Sequence, residues 1–228
     1  MTINFSGPPW HLHTYPAASC YGAGQFDKLD NLVRQVSGVN LTKIVIEKRM
    51  IEWLEDQNSC FGLIIETSNF IIAASDQIRS YPIFVHEKKE GAISVGTSFP
   101  SINEVPHPLS QNHEATEEFL LCGYALGKKT IFREISILPA GNLLVYNKQD
   151  GAVVTKSYFQ YVPDLSGEAS EALLLTQFGT ILDKIFGEIV RNSLGRPIWI
   201  PLSGGLDSRL ILAKLVEHGH SNLTAFSF

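Results

Sequence analysis

The run "IWIPLSGGLDSRLILAKL", residues 198–215, decides how the C-terminal part of the chain folds. A short apolar strand passes through a Ser/Gly loop directly into a helical pattern. In an open α/β sheet, ligands gather at the carboxyl ends of strands, which is where this loop lies. Gly204 and Gly205 can take backbone conformations closed to other residues and let a ligand approach the main chain. A helix starting near Ser208 presents unpaired N–H groups and a positive dipole end to an anion. Ser203 and Ser208 add hydroxyl donors. Asp207 would repel a phosphate, so its natural role is to hold Mg²⁺, which then bridges to phosphate oxygens. The loop lacks the Gly-Lys-Ser/Thr ending of the common P-loop. A plain Gly-Gly-Leu-Asp turn with a Ser or Asp helix cap is the structural alternative. Two serines, an aspartate and strand–helix flanks together favour the anion site.

The flanks of the loop set its context. Upstream, Leu174, Phe178, Ile181, Leu182, Ile185 and Ile189 recur every three or four residues, the period of a long amphipathic helix. "LGRP" ends it, with Gly195 suited to the cap and Pro197 beyond. Downstream, "LTAFSF" reads as a second strand. Helix, strand, loop, helix, strand is the opening of a parallel α/β domain. Such a sheet needs more strands to cover both faces. Residues 165–228 are therefore expected to be the first, incomplete part of a second domain, the break lying near "VPDLSGE" (162–168).

The remainder, 1–164, alternates helices and strands. "FDKLDNLVRQVSG" places Leu29, Leu32, Val33 and Val36 on one helical face, with Gly38 as a stop. "TKIVIEKRMIEWLEDQ" is ambiguous: it can begin as a strand, but Met50, Trp53 and Leu54 suit a helix. "CFGLIIE" with "FIIAAS", and "YPIFVH" with "AISVG", read as antiparallel hairpins turning at "TSN" and "EKKEG". Their nearly continuous apolar character predicts strands covered on both faces, hence stacked sheets. "EATEEFLLCGYALG" reads as a helix with an acidic first turn, and "ISILPAGNLLVYNKQDGAVVTKSYF" returns to strands around a "KQDG" turn.

Composition bounds the partners. A net charge of −5 argues against a nucleic-acid-binding module, and the basic pair Lys88–Lys89 sits between Glu87 and Glu90. Three widely spaced cysteines, Cys20, Cys60 and Cys122, read as buried, reduced structural thiols. The start lacks the basic and apolar regions of a secretory signal, and no apolar run is long enough to span a membrane. A cytoplasmic location is expected. His11 and His13 alternate without a third ligand cluster and read as loop histidines.

"SGGLDS" after an apolar strand resembles the pyrophosphate-binding loop of the ATP pyrophosphatase (PP-loop, adenine nucleotide alpha hydrolase-like) superfamily, and specifically that of asparagine synthetases. "ASDQIRSYPIFVH" is similar to that family's Asp-x-x-Gly-x-Arg-Pro-Leu-Tyr segment, with Asp76, Pro82 and Phe84 kept. "SVGTSFPSIN" and "EEFLLCGYALGKKTIFREISILPAGNLLVYN" resemble the family's following runs. The resemblance covers most of the chain. It implies an α+β fold: an N-terminal Ntn-hydrolase-like α/β/β/α sandwich over 1–164, of the class II glutamine amidotransferase kind, then the start of a PP-loop α/β domain. It implies ATP and Mg²⁺ as the ligands and a small carboxylate and an amine as partners of the full-length protein. Ser203, Gly204, Gly205, Leu206, Asp207 and Ser208 would hold the pyrophosphate end, with Mg²⁺ on Asp207; Leu202 and Phe228 would lie near the adenosine. A homodimer stays open.

The chain also departs from the family. A working glutaminase of this class has a cysteine after the initiator Met; here Thr2 stands there, and no Asn-Gly-Glu tripeptide is present. Thr2 is the only candidate N-terminal nucleophile, and the residues after it do not match. The sandwich is therefore expected to lack glutaminase activity. β-Lactam synthetases share such an architecture, so a β-lactam-synthetase-like cyclase or a non-catalytic scaffold are the alternatives; Arg209, where asparagine synthetases commonly carry a small residue, weighs against the specific aspartate-to-asparagine reaction.

Overall fold

Hairpins supply most of the strands in the computed structural model, which describes residues 3–4, 9–87, 92–98, 109–163, 167 and 169–227. The chain divides into two units, Met1–Val162 and Pro163–Phe228. In chain order the first holds β1 (Ile3–Asn4), β2 (His11–Tyr15), β3 (Ala18–Gly24), α1 (Leu29–Val36), α2 (Lys43–Glu55), β4 (Phe61–Thr67) and β5 (Phe70–Ser75). It continues with β6 (Phe84–Glu87), β7 (Ile93–Gly96), α3 (His113–Cys122), β8 (Ile135–Ile137), β9 (Asn142–Asn147) and β10 (Val153–Ser157). The larger sheet runs β10-β9-β5-β4-β3-β2 and is antiparallel throughout. The smaller runs β1-β7-β6-β8, with only β1 and β7 parallel. Both expected hairpins are present; the "EKKEG" tip, 88–91, lies outside the described residues.

The two-residue period of the strands sorts the layers. On one face of the large sheet, Cys20, Leu63, Ile65, Ile72, Ala74, Leu143 and Val145 pack under Leu32, Val33 and Val36 of α1 and Ile46, Met50 and Leu54 of α2. On the other, Ala23, Ile64, Ile71, Ala73, Leu144 and Tyr146 meet Val85, Ile93 and Val95 of the small sheet, with Ile83 just ahead of β6. Phe84 and Ile135 lie on the small sheet's far side, against Leu109, and Phe84 shares a recess with Phe119 of α3. The order is helix, sheet, sheet, helix. The unit is a four-layered α+β sandwich, the layer order expected for residues 1–164.

The ambiguous run 42–57 is helical. Thr42 caps it by accepting from the Val45 N–H at 3.5 Å, and Ile46, Met50 and Leu54 fall four residues apart on the buried face. Glu47, on the same side, is buried and paired with Lys156 of β10. α3 is capped by Asn112 and stopped by Gly123 at φ 80, whose N–H returns to the Phe119 carbonyl at 2.8 Å. Gly38 does not terminate α1: Ser37 closes it through the Val33 carbonyl, and Gly38 has no positive φ.

The segment containing Asp76 ties the sandwich together at one corner. Its carboxylate is buried and accepts from the N–H groups of Phe61 at 2.7 Å, Ile78 at 2.8 Å and Ser80 at 3.2 Å. In the Asp-x-x-Gly pattern the fourth position falls on Arg79, which adopts φ 57, a left-handed conformation that glycine reaches freely. Arg79→Gly is expected to raise stability by about 1 kcal/mol, because the relief of left-handed strain outweighs the added freedom of the unfolded chain. Urea titration of both proteins measures it; a loss of stability would show that other Arg79 contacts matter more.

The second unit contains α4 (Glu171–Ser193), β11 (Ile198–Pro201), α5 (Leu206–Glu217) and β12 (Leu223–Phe226). β11 and β12 pair in parallel, Ile198 opposite Leu223 and Pro201 opposite Phe226. The core is Phe186, Ile200 and Leu215, ringed by Leu182, Val190, Ile198, Leu212 and Leu223. The packed stripe of α4 is therefore Leu182–Phe186–Val190. Of the stripe read from periodicity, Leu174, Phe178, Ile181, Ile185 and Ile189 are exposed, so α4 is apolar on two sides. Its C-cap is Leu194, left-handed at φ 51, and Gly195 follows at φ 74.

Candidate functional site: the loop between β11 and α5

Parallel pairing with β12 aims β11 at the loop. Pro201 has no N–H to give, and the Leu202 N–H extends the pairing one residue further by donating to the Phe226 carbonyl at 2.7 Å. The loop then closes on itself. Ser203 Oγ accepts from the Gly205 N–H at 3.3 Å and lies 3.2 Å from Ser208 Oγ, while the Ser208 hydroxyl reaches the Ser203 carbonyl at 3.2 Å. The two hydroxyls expected to serve an anion are side by side.

α5 begins earlier than its apolar pattern suggests. Gly205 is the N-cap and Leu206 the first helical residue, so Asp207 and Ser208 belong to the first turn. Leu206, Asp207 and Arg209 are exposed there, and the free N–H groups of that turn carry the positive end of the helix dipole. The glycines contribute differently from expectation. Gly205 sits at φ −76, ψ 165, open to any residue, and neither Gly204 nor Gly205 has a positive φ. What they supply is room: a Cβ on Gly204 would meet nothing within 4 Å.

Leu202, Ser203 and Gly204 line a recess of about 250 Å³, and Pro201, Phe226 and Ser227 complete the wall. Gly205, Leu206, Asp207 and Ser208 do not line it but form the adjoining helix start. Phe226 packs edge-on against Trp199, ring centroids 6.3 Å apart, an aromatic pair that the sequence pattern did not single out. Phe228 lies outside the described residues.

Arg209 is the unexpected member. Its guanidinium donates through Nε to the Gly205 carbonyl at 3.1 Å and through Nη2 to the Gly204 carbonyl at 3.0 Å. The nearby oxygen donors, the Asp207 carboxylate and the Ser203 and Ser208 hydroxyls, are hard and suit Mg²⁺. Among the described residues no group of three or more His, Cys, Asp or Glu side chains could hold a metal by itself. A cation here would draw its other ligands from phosphate oxygens and water.

The other candidates separate. Thr2 lies outside the described residues. Cys20 is buried, and burial pushes its thiol up to about 12, which leaves it an inert core group. Cys60 and Cys122 are exposed, so the expectation of buried thiols holds for one cysteine of three. His11 and His13 are on strand β2 and exposed, not in a loop. No helix among the described residues is long and apolar enough to cross a membrane.

No protein-family model matches the chain, and no curated protein matches it. Solved structures do align with it. One is glutamine phosphoribosylpyrophosphate (PRPP) amidotransferase from B. subtilis complexed with ADP and GMP, at 10% identity and TM-score 0.37, covering 92% of this chain and 47% of that one. Another is described as the allosteric regulatory enzyme of purine biosynthesis, at 11% identity and TM-score 0.35, covering 95% of this chain and 46% of that one. The chain spans less than half the length of either. By its own geometry the first unit is a pair of stacked sheets flanked by helices.

Proposed function

We propose that this chain is the N-terminal portion of an asparagine-synthetase-like, ATP-dependent amide-forming ligase. The observation that carries the reading is the Ser203–Ser208 loop at the carboxyl end of β11, with its two hydroxyls together at the start of α5. In such a ligase a substrate carboxylate oxygen attacks the α-phosphorus of ATP and displaces pyrophosphate. An amine then attacks the activated acyl carbon and releases AMP. The loop's share is to bind the departing pyrophosphate: its N–H groups and hydroxyls are aimed before the charge develops, so little reorganisation is needed. Asp207 would hold Mg²⁺, which when bound neutralises part of the phosphate charge. Asparagine synthesis is the nearest assignment.

Thr2 in place of the cysteine nucleophile supports a sandwich without glutaminase activity, so that the attacking amine comes from elsewhere. That same departure supports a β-lactam-synthetase-like cyclase as the second reading, while Arg209, where asparagine synthetases commonly carry a small residue, weighs against aspartate as the substrate.

Exchange of pyrophosphate into ATP by the protein that carries this chain, dependent on a carboxylate substrate, tests the reading. Asp207→Ala is expected to lower that exchange by roughly 100-fold, in the range for loss of a group that supports a metal. Undiminished exchange in the variant would remove Asp207 from the metal site. Calorimetry showing no Mg-ATP binding by the unaltered protein would leave the scaffold alternative.

A further inference from the structure

We propose that Arg209 is a positioning residue for the pyrophosphate loop, an inference that rests on the function proposed above. The guanidinium is a planar fork, and here its two arms hold two consecutive carbonyls, those of Gly204 and Gly205. Each peptide unit is flat and trans, so its N–H points opposite to its C=O. Fixing the Gly204 and Gly205 carbonyls therefore fixes the N–H groups of Gly205 and Leu206 facing away from Arg209. Those are the backbone donors at the entry to α5, and Ser203 Oγ takes the first of them at 3.3 Å. The conformation needs such a clamp. Neither glycine has a side chain to restrain its peptide, and a Cβ at Gly204 would touch nothing, so beyond the Ser203 and Ser208 contacts it is the fork that restrains these two peptides. Rotation of either peptide would put a carbonyl oxygen where an anion is to sit.

Arg209 also brings a charge. Among the described residues its hydrogen bonds go to neutral carbonyls, and it makes no ion pair that would cancel its field. The loop has no lysine, so this is the cation of the segment 201–209. Clamp and charge make different demands on the side chain. A lysine keeps the charge but carries one compact head, which cannot reproduce the planar two-armed contact.

The test compares the unaltered protein with Arg209→Ala and Arg209→Lys, using magnesium pyrophosphate as the probe in calorimetry and thermal melting for each protein. Both variants are expected to bind the probe roughly tenfold more weakly, the usual size of a supporting-residue effect. Because Arg209 is exposed, the melting temperatures are expected to stay together, which separates positioning from a contribution to folding. Equal affinity in Arg209→Ala would overturn the inference and leave the proposed function standing. Full affinity in Arg209→Lys would show that charge suffices and overturn the clamp. Absence of probe binding by the unaltered protein would overturn the proposed function itself, and the inference with it.

Discussion

Asp76→Ala is expected to lower the free energy of unfolding by about 3–5 kcal/mol, the cost of leaving several buried donors without a partner. Asp76 is 2% exposed, and its carboxylate serves three backbone N–H groups on two separate pieces of chain. Phe61 begins β4, while Ile78 and Ser80 shape the turn that follows β5. The Asp76 backbone carbonyl also accepts from the Gly141 N–H at 2.8 Å, just ahead of β9. Tyr158 completes the corner, its hydroxyl donating to the Ser75 carbonyl at 2.7 Å. Burial and the Asp76 charge both push that phenol upward, so it stays a donor across the working pH range. Alanine leaves the N–H groups in a site too enclosed for easy rehydration, and asparagine, which keeps one acceptor oxygen, should restore part of the loss. Urea titration with an unchanged m value is the measurement. A loss for Asp76→Ala below about 1 kcal/mol would mean that the corner is held by its backbone alone.

Gly24→Ala is expected to cost on the order of 3 kcal/mol, from a backbone clash added to left-handed strain. Gly24 ends β3 at φ 93, and a Cβ there would lie 2.0 Å from the Cys60 carbonyl oxygen and 3.0 Å from Phe61 Cα. Both obstacles are main chain, so no rotamer change relieves them. The Cys60 carbonyl is also the acceptor for the Gln25 N–H at 3.3 Å, and Gly24 is paired with Phe61 across β3 and β4. The chain would have to open that end of the ladder. Gly123→Ala is the control: φ is 80, but a Cβ there has nothing within 4 Å, so strain acts without a clash. Thermal melting of the two variants separates the contributions, and equal losses would refute the clash.

The sandwich was legible wherever local signals agreed with the packing. The hairpins at "TSN" and "KQDG" join apolar, β-branched runs, and nothing in their tertiary setting opposes that preference. The run at 42–57 was ambiguous because "KIVIE" is a β-branched apolar run of strand type, whereas the four-residue spacing of Ile46, Met50 and Leu54 acts only once the large sheet is there to bury them. α4 was legible as a helix but not in orientation. Two apolar stripes satisfy the same period, and the contact with Ile200 and Leu215 selects Phe186. At the loop, residue types marked the site but not how it is held. Ser203 and Ser208 could be named from their position, while the meeting of their hydroxyls and the grip of Arg209 on two carbonyls depend on Gly205 being the cap, and exposed Leu206 does not look like a helix start.

The strand order of the large sheet carries a kinetic consequence. From β2 to β5 each strand pairs with the one before it in sequence, although α1 and α2 intervene between β3 and β4. The next pairing, β5 with β9, joins Ala74 to Leu143 and encloses nearly the whole small sheet in the loop it closes. Closing so long a segment exacts its entropy before the new contacts form, so long-range pairing is slow where short hairpins are fast. The β4–β5 hairpin is thus the natural nucleus, and the Asp76 corner, which bonds both to Phe61 at the hairpin's open end and to Gly141 at the mouth of β9, is the latch that records arrival of the late strands.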